Sequence, residues 1–224
     1  MSNALNIKYV IFDMDGTILD TERFCFRCHQ EWFQGLGYSF TEDIYRQIIG
    51  CTLESSITVL KEFFPDDLDY DRIFKQVEAL EDKKLSEGAR IEIKEGYFAL
   101  RDYLQKQNIT MILGTSTYRE KAIKRLKQSG IFEDFAFILC GDEVEHGKPA
   151  PDIYARILEQ MKISPQESIV IEDSANGVKS AAAAGLSVIM VPDMVPASDE
   201  IEKLLLAQKE NLEAVIDVID AFRK

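Results

Sequence analysis

Apolar residues fall into two regimes along this chain. Between residues 20 and 93 they recur at spacings of three and four, the period of helices with one buried face. Helices are predicted there over residues 21–35, from an N-capping Thr41 to near Gly50, and over 53–64 and 68–86, the last two parted by Pro65-Asp66-Asp67. Such helices bury their apolar stripes by packing on one another as a small bundle. Outside that stretch the pattern changes. Tyr9-Val10-Ile11-Phe12 reads as a buried strand, and from Gly96 onward helical stretches alternate with short unbroken apolar runs. A helix over 97–107 leads into Thr110-Met111-Ile112-Leu113, and one from Arg119 ends at Gly130 before Phe137-Ile138-Leu139-Cys140. A third follows Pro151, then Ser168-Ile169-Val170-Ile171, a helix carrying Ala181 to Ala184, and Val188-Ile189-Met190-Val191. Repeated strand-helix units predict an α/β fold with a parallel sheet covered on both faces. Residues after about Ser198 are expected to supply closing helices. The expected domains are a core of residues 1–19 and 94–224 and a helical insert of residues 20–93, placed after the first strand.

Composition bounds this picture without changing it. The 224 residues and 46% hydrophobic content suit one large domain with an accessory lobe. The apolar runs are far too short to cross a bilayer, and no charged, apolar, cleavable leader is apparent, so a cytoplasmic location is expected. Ser2-Asn3-Ala4 is given no functional weight. A net charge of -13 disfavours nucleic acid and anionic membranes as partners. The same field opposes a phosphorylated ligand, so a phosphate site needs its own local positive charge, from a metal and a lysine. Cys25-Phe26-Arg27-Cys28-His29 matches the literal pattern for c-type haem attachment, but it interrupts an amphipathic helix rich in aromatic residues. Zinc would need further ligands, whereas His146, Cys51 and Cys140 are scattered, so structural thiols are expected.

Candidate chemistry gathers at the carboxyl ends of the predicted strands, where open α/β sheets bind their ligands. Asp13-Met14-Asp15-Gly16-Thr17 follows the first strand. Residues two apart in an extended chain point the same way, so both carboxylates can converge on one cation or phosphoryl group, and Gly16 lets the chain turn away. Thr115-Ser116-Thr117 follows the second strand, Lys148 lies beyond the third, and Glu172-Asp173 ends the fourth. Singly, each has a plain structural use as a helix cap, a turn or an exposed loop. Their joint placement on one sheet edge is poorly explained by capping.

With these four motifs the chain resembles the haloacid dehalogenase superfamily, in the branch of β-phosphoglucomutase and small-metabolite phosphatases. That resemblance implies a Rossmann-like parallel core, with the helical insert as cap. It implies that Asp13 is the nucleophile and Asp15 the general acid and base. Thr115, Ser116 and Lys148 would bind the substrate phosphate. Magnesium would be held by Asp13, the Asp15 main-chain carbonyl and Asp173, with Glu172 acting from behind them. The expected activity is magnesium-dependent hydrolysis of small phosphate monoesters, sugar phosphates foremost, through an aspartyl-phosphate, by a monomer.

Alternatives remain at this stage. Asp15 argues against dehalogenation, because a leaving halide needs no proton. A phosphosugar mutase is the nearer rival, yet Cys25 stands where β-phosphoglucomutase carries a histidine, and Gly50-Cys51-Thr52 leads to Leu53 rather than to a phosphate-gripping arginine. A non-catalytic phosphometabolite sensor would keep the fold without turnover. A receiver-like signalling domain would place its aspartate on a later strand and lack the insert. Glu22, Arg23, Arg27, Thr52, Lys83 and Lys84 are candidate substrate contacts in the insert, with solvated helix faces the simpler account.

Overall fold

The computed structural model describes residues 7–222, so Ser2, Asn3 and Ala4 lie outside the described residues. Six parallel strands form one sheet: β1 (Tyr9–Phe12), β2 (Thr110–Gly114), β3 (Phe137–Leu139), β4 (Ser168–Glu172), β5 (Ser187–Met190) and β6 (Ala207–Gln208), in the order β3-β2-β1-β4-β5-β6. The helices are α1 (Thr21–Gly35), α2 (Glu42–Arg46), α3 (Leu53–Leu60), α4 (Tyr70–Ser86), α5 (Tyr97–Lys106), α6 (Arg119–Gln128), α7 (Asp152–Met161), α8 (Ala175–Ala183), α9 (Asp199–Glu202) and α10 (Val215–Phe222). The chain divides into two compact units, one of residues up to Asp20 and from Glu92 on, the other Thr21–Ile91.

The sheet unit is built as its apolar runs require. Alternation sends Ile11 to one face with Ile112, Val170 and Val188, where Ile153, Tyr154 and Ile157 of α7 and Val178 and Ala181 of α8 cover them. Phe12 points to the other face, edge-on to Tyr97 of α5 and to Phe135. With both faces covered, β1 and β4 contain no exposed residue, and their sequences are continuous in hydrophobicity instead of alternating. In sequence the chain builds outward from β1 through β2 to β3, then returns to β4 on the opposite flank of β1. That reversal opens a crevice at the carboxyl ends of β1, β2 and β4.

The segment after Ser198 departs from the all-helical expectation. Ala207–Gln208 pairs with β5, Ile189 opposite Ala207 and Met190 opposite Gln208, and so adds an edge strand. Two residues are too short to carry a period-two pattern, which is why the run is silent in the sequence.

In the helical unit, Thr41 accepts a hydrogen bond from the Ile44 amide and caps α2, Thr52 caps α3 through the Ser55 amide, and Asp69 caps α4 through the Arg72 amide. These caps move the start of α4 from residue 68 to Tyr70, while α2 and α3 end earlier than their apolar spacing suggests and run on as hydrogen-bonded turns. Phe33 of α1 stacks on Phe40 at 4.7 Å and meets Phe64 at a tilt at 4.5 Å between ring centres. His29 is buried against Phe40, Tyr45 and Phe74, with Nδ1 2.9 Å from the Cys25 carbonyl oxygen, and burial lowers its pKa. The Cys25 to His29 run therefore lies within α1, with Cys28 and His29 on its buried face, and no disulfide joins the four cysteines.

Candidate active site

The turn after β1 is fixed by backbone bonds. The Asp13 amide donates to the Ile171 carbonyl and extends the ladder to β4 by one residue. The Ile18 and Leu19 amides both donate to the Met14 carbonyl, and the Gly16 amide donates to that of Leu19. Met14 is fully buried, so its two neighbours face the crevice. Gly16 has φ +82, and a Cβ there would lie 2.2 Å from Asp173 Oδ2. Both the left-handed backbone and the close approach of Asp173 require glycine.

Lys148 is the centre of this arrangement. Its ammonium donates to Asp13 Oδ1 at 2.6 Å, to Glu172 Oε1 at 2.7 Å and to the Gly114 carbonyl at 2.9 Å, and it lies 4.9 Å from the centre of the Tyr154 ring. The side chain is 5% exposed, so this is not a solvated loop lysine. Burial opposes its charge, but Asp13 and Glu172 together hold its pKa well above the usual lysine value. The loop carrying Lys148 is tied down where Ser180 of α8 donates to the Ala150 carbonyl at 2.6 Å.

Glu172 is fully buried and saturated. Oε1 accepts from Lys148 and from the Tyr154 hydroxyl at 2.6 Å, while Oε2 accepts from the Asp173 amide, the Ser174 amide and the Ser174 hydroxyl. A Cβ on Gly177 would overlap this carboxylate at 1.9 Å, so the first turn of α8 presses on Glu172 without a side chain between. The cap of α8 is Ser174, which accepts from the Gly177 amide; the acids before it are free of that duty. Similarly, α6 is preceded by Tyr118 with no side-chain cap, and Thr115 instead accepts from the Thr117 amide at 3.0 Å. Thr115 is buried at the end of β2, its amide donating to the Leu139 carbonyl, and Ser116 beside it is exposed.

Asp13, Glu172 and Asp173 offer carboxylate oxygens that all lie within 4.8 Å of one another. Three carboxylates against one ammonium leave an excess of negative charge in a poorly hydrated place. Burial first, then Glu172 and Asp15, push the Asp13 carboxyl up to about 8 although Lys148 pulls the other way. Asp173 is also raised well above the ordinary carboxylate range, by burial and then by Asp13 and Glu172, against a hydrogen bond from Thr17 at 3.1 Å. Among the described residues, Asp13 Oδ2 and Asp173 Oδ2 accept no hydrogen bond. Unspent hard oxygens and unbalanced negative charge fit a divalent cation, with Asp13 and Asp173 as its carboxylate donors. Glu172, with both oxygens committed to protein donors, fits a supporting place behind them.

Asp15 sits in a separate setting. Oδ1 is 2.6 Å from Arg125 Nη1 and Oδ2 accepts from the Thr117 hydroxyl at 2.5 Å. The sheet edge thus brings together Asp13, Thr115, Lys148, Glu172 and Asp173, with Asp15 held nearby by its own cation. Sequence reasoning passed over Arg125 and Tyr154. The available signals were a charged residue on the buried face of α6 with Ala122 and Leu126, and a tyrosine between Ile153 and Ile157 that reads simply as core.

Residues 10–191 match the family model of haloacid dehalogenase-like hydrolases. The chain is 32% identical over 180 residues to a phosphorylated carbohydrates phosphatase of Thermotoga maritima, covering 80% of this chain and 82% of that one. Hexitol phosphatase A of Escherichia coli is 30% identical, over 90% and 91% of the two chains. A crystal structure from Thermotoga maritima, provisionally named a β-phosphoglucomutase, superposes with a TM-score of 0.79 at 27% identity, over 96% of this chain and 99% of that one.

Proposed function

The chain belongs to the haloacid dehalogenase-like hydrolases, and from that premise we propose that it is a magnesium-dependent phosphatase of small phosphorylated metabolites, sugar phosphates foremost. Relatives named for phosphorylated carbohydrates and for hexitols support the substrate class. One observation carries the chemistry: two carboxylates two residues apart occupy opposite settings. Asp13 shares a buried lysine with Glu172, whereas Asp15 is held by Arg125 and Thr117. Two carboxyl groups made different by their surroundings suit two different tasks.

In this reading Asp13 attacks phosphorus in line, and its new O–P bond forms as the bond to the leaving oxygen breaks. Asp15 gives its proton to that departing oxygen. Asp15 then takes a proton from the water that attacks the aspartyl-phosphate, the Asp13–phosphorus bond breaks, and inorganic phosphate leaves. Lys148 restrains Asp13 and neutralises phosphoryl oxygens, while the Thr115 hydroxyl and the nearby Ser116 amide position them. Asp13, Asp173 and the Asp15 main-chain carbonyl would hold magnesium, which would supply positive charge to neutralise phosphoryl oxygens when bound. Glu172 keeps Lys148 and the Asp173 amide in place. The helical insert is assigned the choice of substrate.

Magnitudes require this division of labour. Hydrolysis of a phosphate monoester can need about 10²¹-fold acceleration, or roughly 29 kcal/mol. A general acid supplies only about 10² to 10⁴. Positioning and preorganised charge must provide the remainder.

A phosphate-release screen across sugar, nucleotide and short-chain phosphates, with product analysis on β-glucose 1-phosphate and its bisphosphate, tests the proposal. Free phosphate that requires magnesium is the expected result. Isomerised sugar phosphate with little free phosphate would make the chain a mutase, and binding of phosphosugar with no turnover would make it a sensor.

A further inference from the structure

Arg125 is out of place for a solubilising residue. It lies in the last turn of α6, yet its side chain is only 7% exposed, and its Nε is buried with no hydrogen-bond partner among the described residues. Arg46, Arg101 and Arg119, by contrast, meet their acids with side chains between a quarter and a half exposed. Ala122, one turn earlier on the same helix face, is fully buried and stops at Cβ, so it takes little of the space beside Arg125. A buried guanidinium with a spare donor is costly unless its position does something. Its Nη1 lies 2.6 Å from Asp15 Oδ1.

The two oxygens of Asp15 are held by different kinds of group. Arg125 can only donate, so the oxygen it grips must keep a lone pair toward it. Thr117 grips Oδ2 at 2.5 Å through a hydroxyl, which can donate to a carboxylate and turn round to accept from a carboxylic acid. Thr117 is itself held, because its amide donates to Thr115 Oγ1 at 3.0 Å. We infer that Arg125 is the positioning residue of Asp15: it anchors Oδ1, leaves Oδ2 as the atom that carries the proton, and Thr117 keeps the place of the substrate oxygen at Oδ2. During leaving-group departure the Oδ2–H bond breaks and the proton goes to the substrate oxygen as its bond to phosphorus breaks. In the second half a water O–H bond breaks and its proton returns to Oδ2. Asp15 swings about neither oxygen, since Oδ1 stays on Arg125 throughout.

The inference rests on the phosphatase reading, and leaving-group chemistry separates the two. An alkoxide needs a proton to depart, whereas p-nitrophenolate does not. kcat/KM reports steps only up to phosphoryl transfer to Asp13, so it isolates the proton given by Asp15. For Arg125→Met, kcat/KM on glycerol phosphate is expected to fall about 100-fold and on p-nitrophenyl phosphate less than about fivefold, since a misplaced general acid forfeits roughly its whole contribution. Arg125→Lys should recover part of the alkyl activity, and Thr117→Val should show the same selectivity more weakly. In an Asp15→Asn background, Arg125→Met should cost nothing further on either substrate. Equal losses on the two substrates, or an undiminished loss in that background, would overturn the inference while leaving the phosphatase intact. Should Arg125→Met fail to fold, Arg125→Lys and Thr117→Val decide it, and an unselective effect in both counts against it. Absence of phosphate release from either ester by the unsubstituted protein removes the phosphatase reading and this inference with it.

Discussion

Lys148 carries more of the site than any other side chain, because Asp13, Glu172 and the Gly114 carbonyl all converge on its ammonium. Lys148→Met leaves two buried carboxylates facing each other without a counter-charge. Breaking a buried ion pair on one side costs about 3–5 kcal/mol, and a loss of that size is expected in urea unfolding. Asp13→Asn replaces a carboxyl that burial and its acidic neighbours make hard to ionise, so it should leave unfolding stability equal or higher while abolishing turnover by loss of the nucleophile. Asp13, Lys148, Glu172 and Asp173, which meet here, and Asp15 and Thr115 beside them were legible in the sequence as residue types at or beyond strand ends. Arg125 and Tyr154 were not, because a helix pattern reports which face is buried and says nothing of which loop that face meets. Arg125 reads as one more cation in the charged run of α6, and only the fold sets it against a residue 110 positions earlier.

At the scale of elements, helices and strands hold the site by approaching it closely. The first turn of α8 comes so near β4 that Gly177 has no room for a methyl group beside the Glu172 carboxylate. Gly177→Ala should therefore displace Glu172, weaken its bonds to Lys148 and Tyr154, and cost about 1–3 kcal/mol as other overpacked substitutions do. Chemical denaturation together with kcat checks this, and an unchanged midpoint with full activity would contradict it. Element types were readable from periodicity because long helices and fully buried strands repeat their signals. Their ends were set by details outside that periodicity: Asp69 as the cap of α4, the turns that continue α2 and α3, and the edge pairing of Ala207–Gln208, which depends on β5 being its neighbour.

For the whole molecule, charge and stability are linked through the same carboxylates. Asp13 is pushed up to about 8 and Asp173 is raised as well, both above their unfolded values near 4. Between those limits the folded chain holds more protons than the unfolded one, so these groups make the metal-free protein less stable as pH rises from about 4 toward 8. A divalent cation held by these oxygens would need them deprotonated and would compete with those protons. The rise in Tm on adding magnesium should thus be larger at pH 8 than at pH 6, and an equal rise at both would mean that the ion binds elsewhere. The proposed chemistry stands or falls on whether Asp13 takes the phosphoryl group. Acid-quenching the protein during turnover of a radiolabelled hexose phosphate and mapping the label decides it. A hydroxylamine-sensitive label on the peptide containing Asp13, absent in Asp13→Asn, is the expected result. Steady phosphate release by Asp13→Asn, or label on another residue, would contradict it.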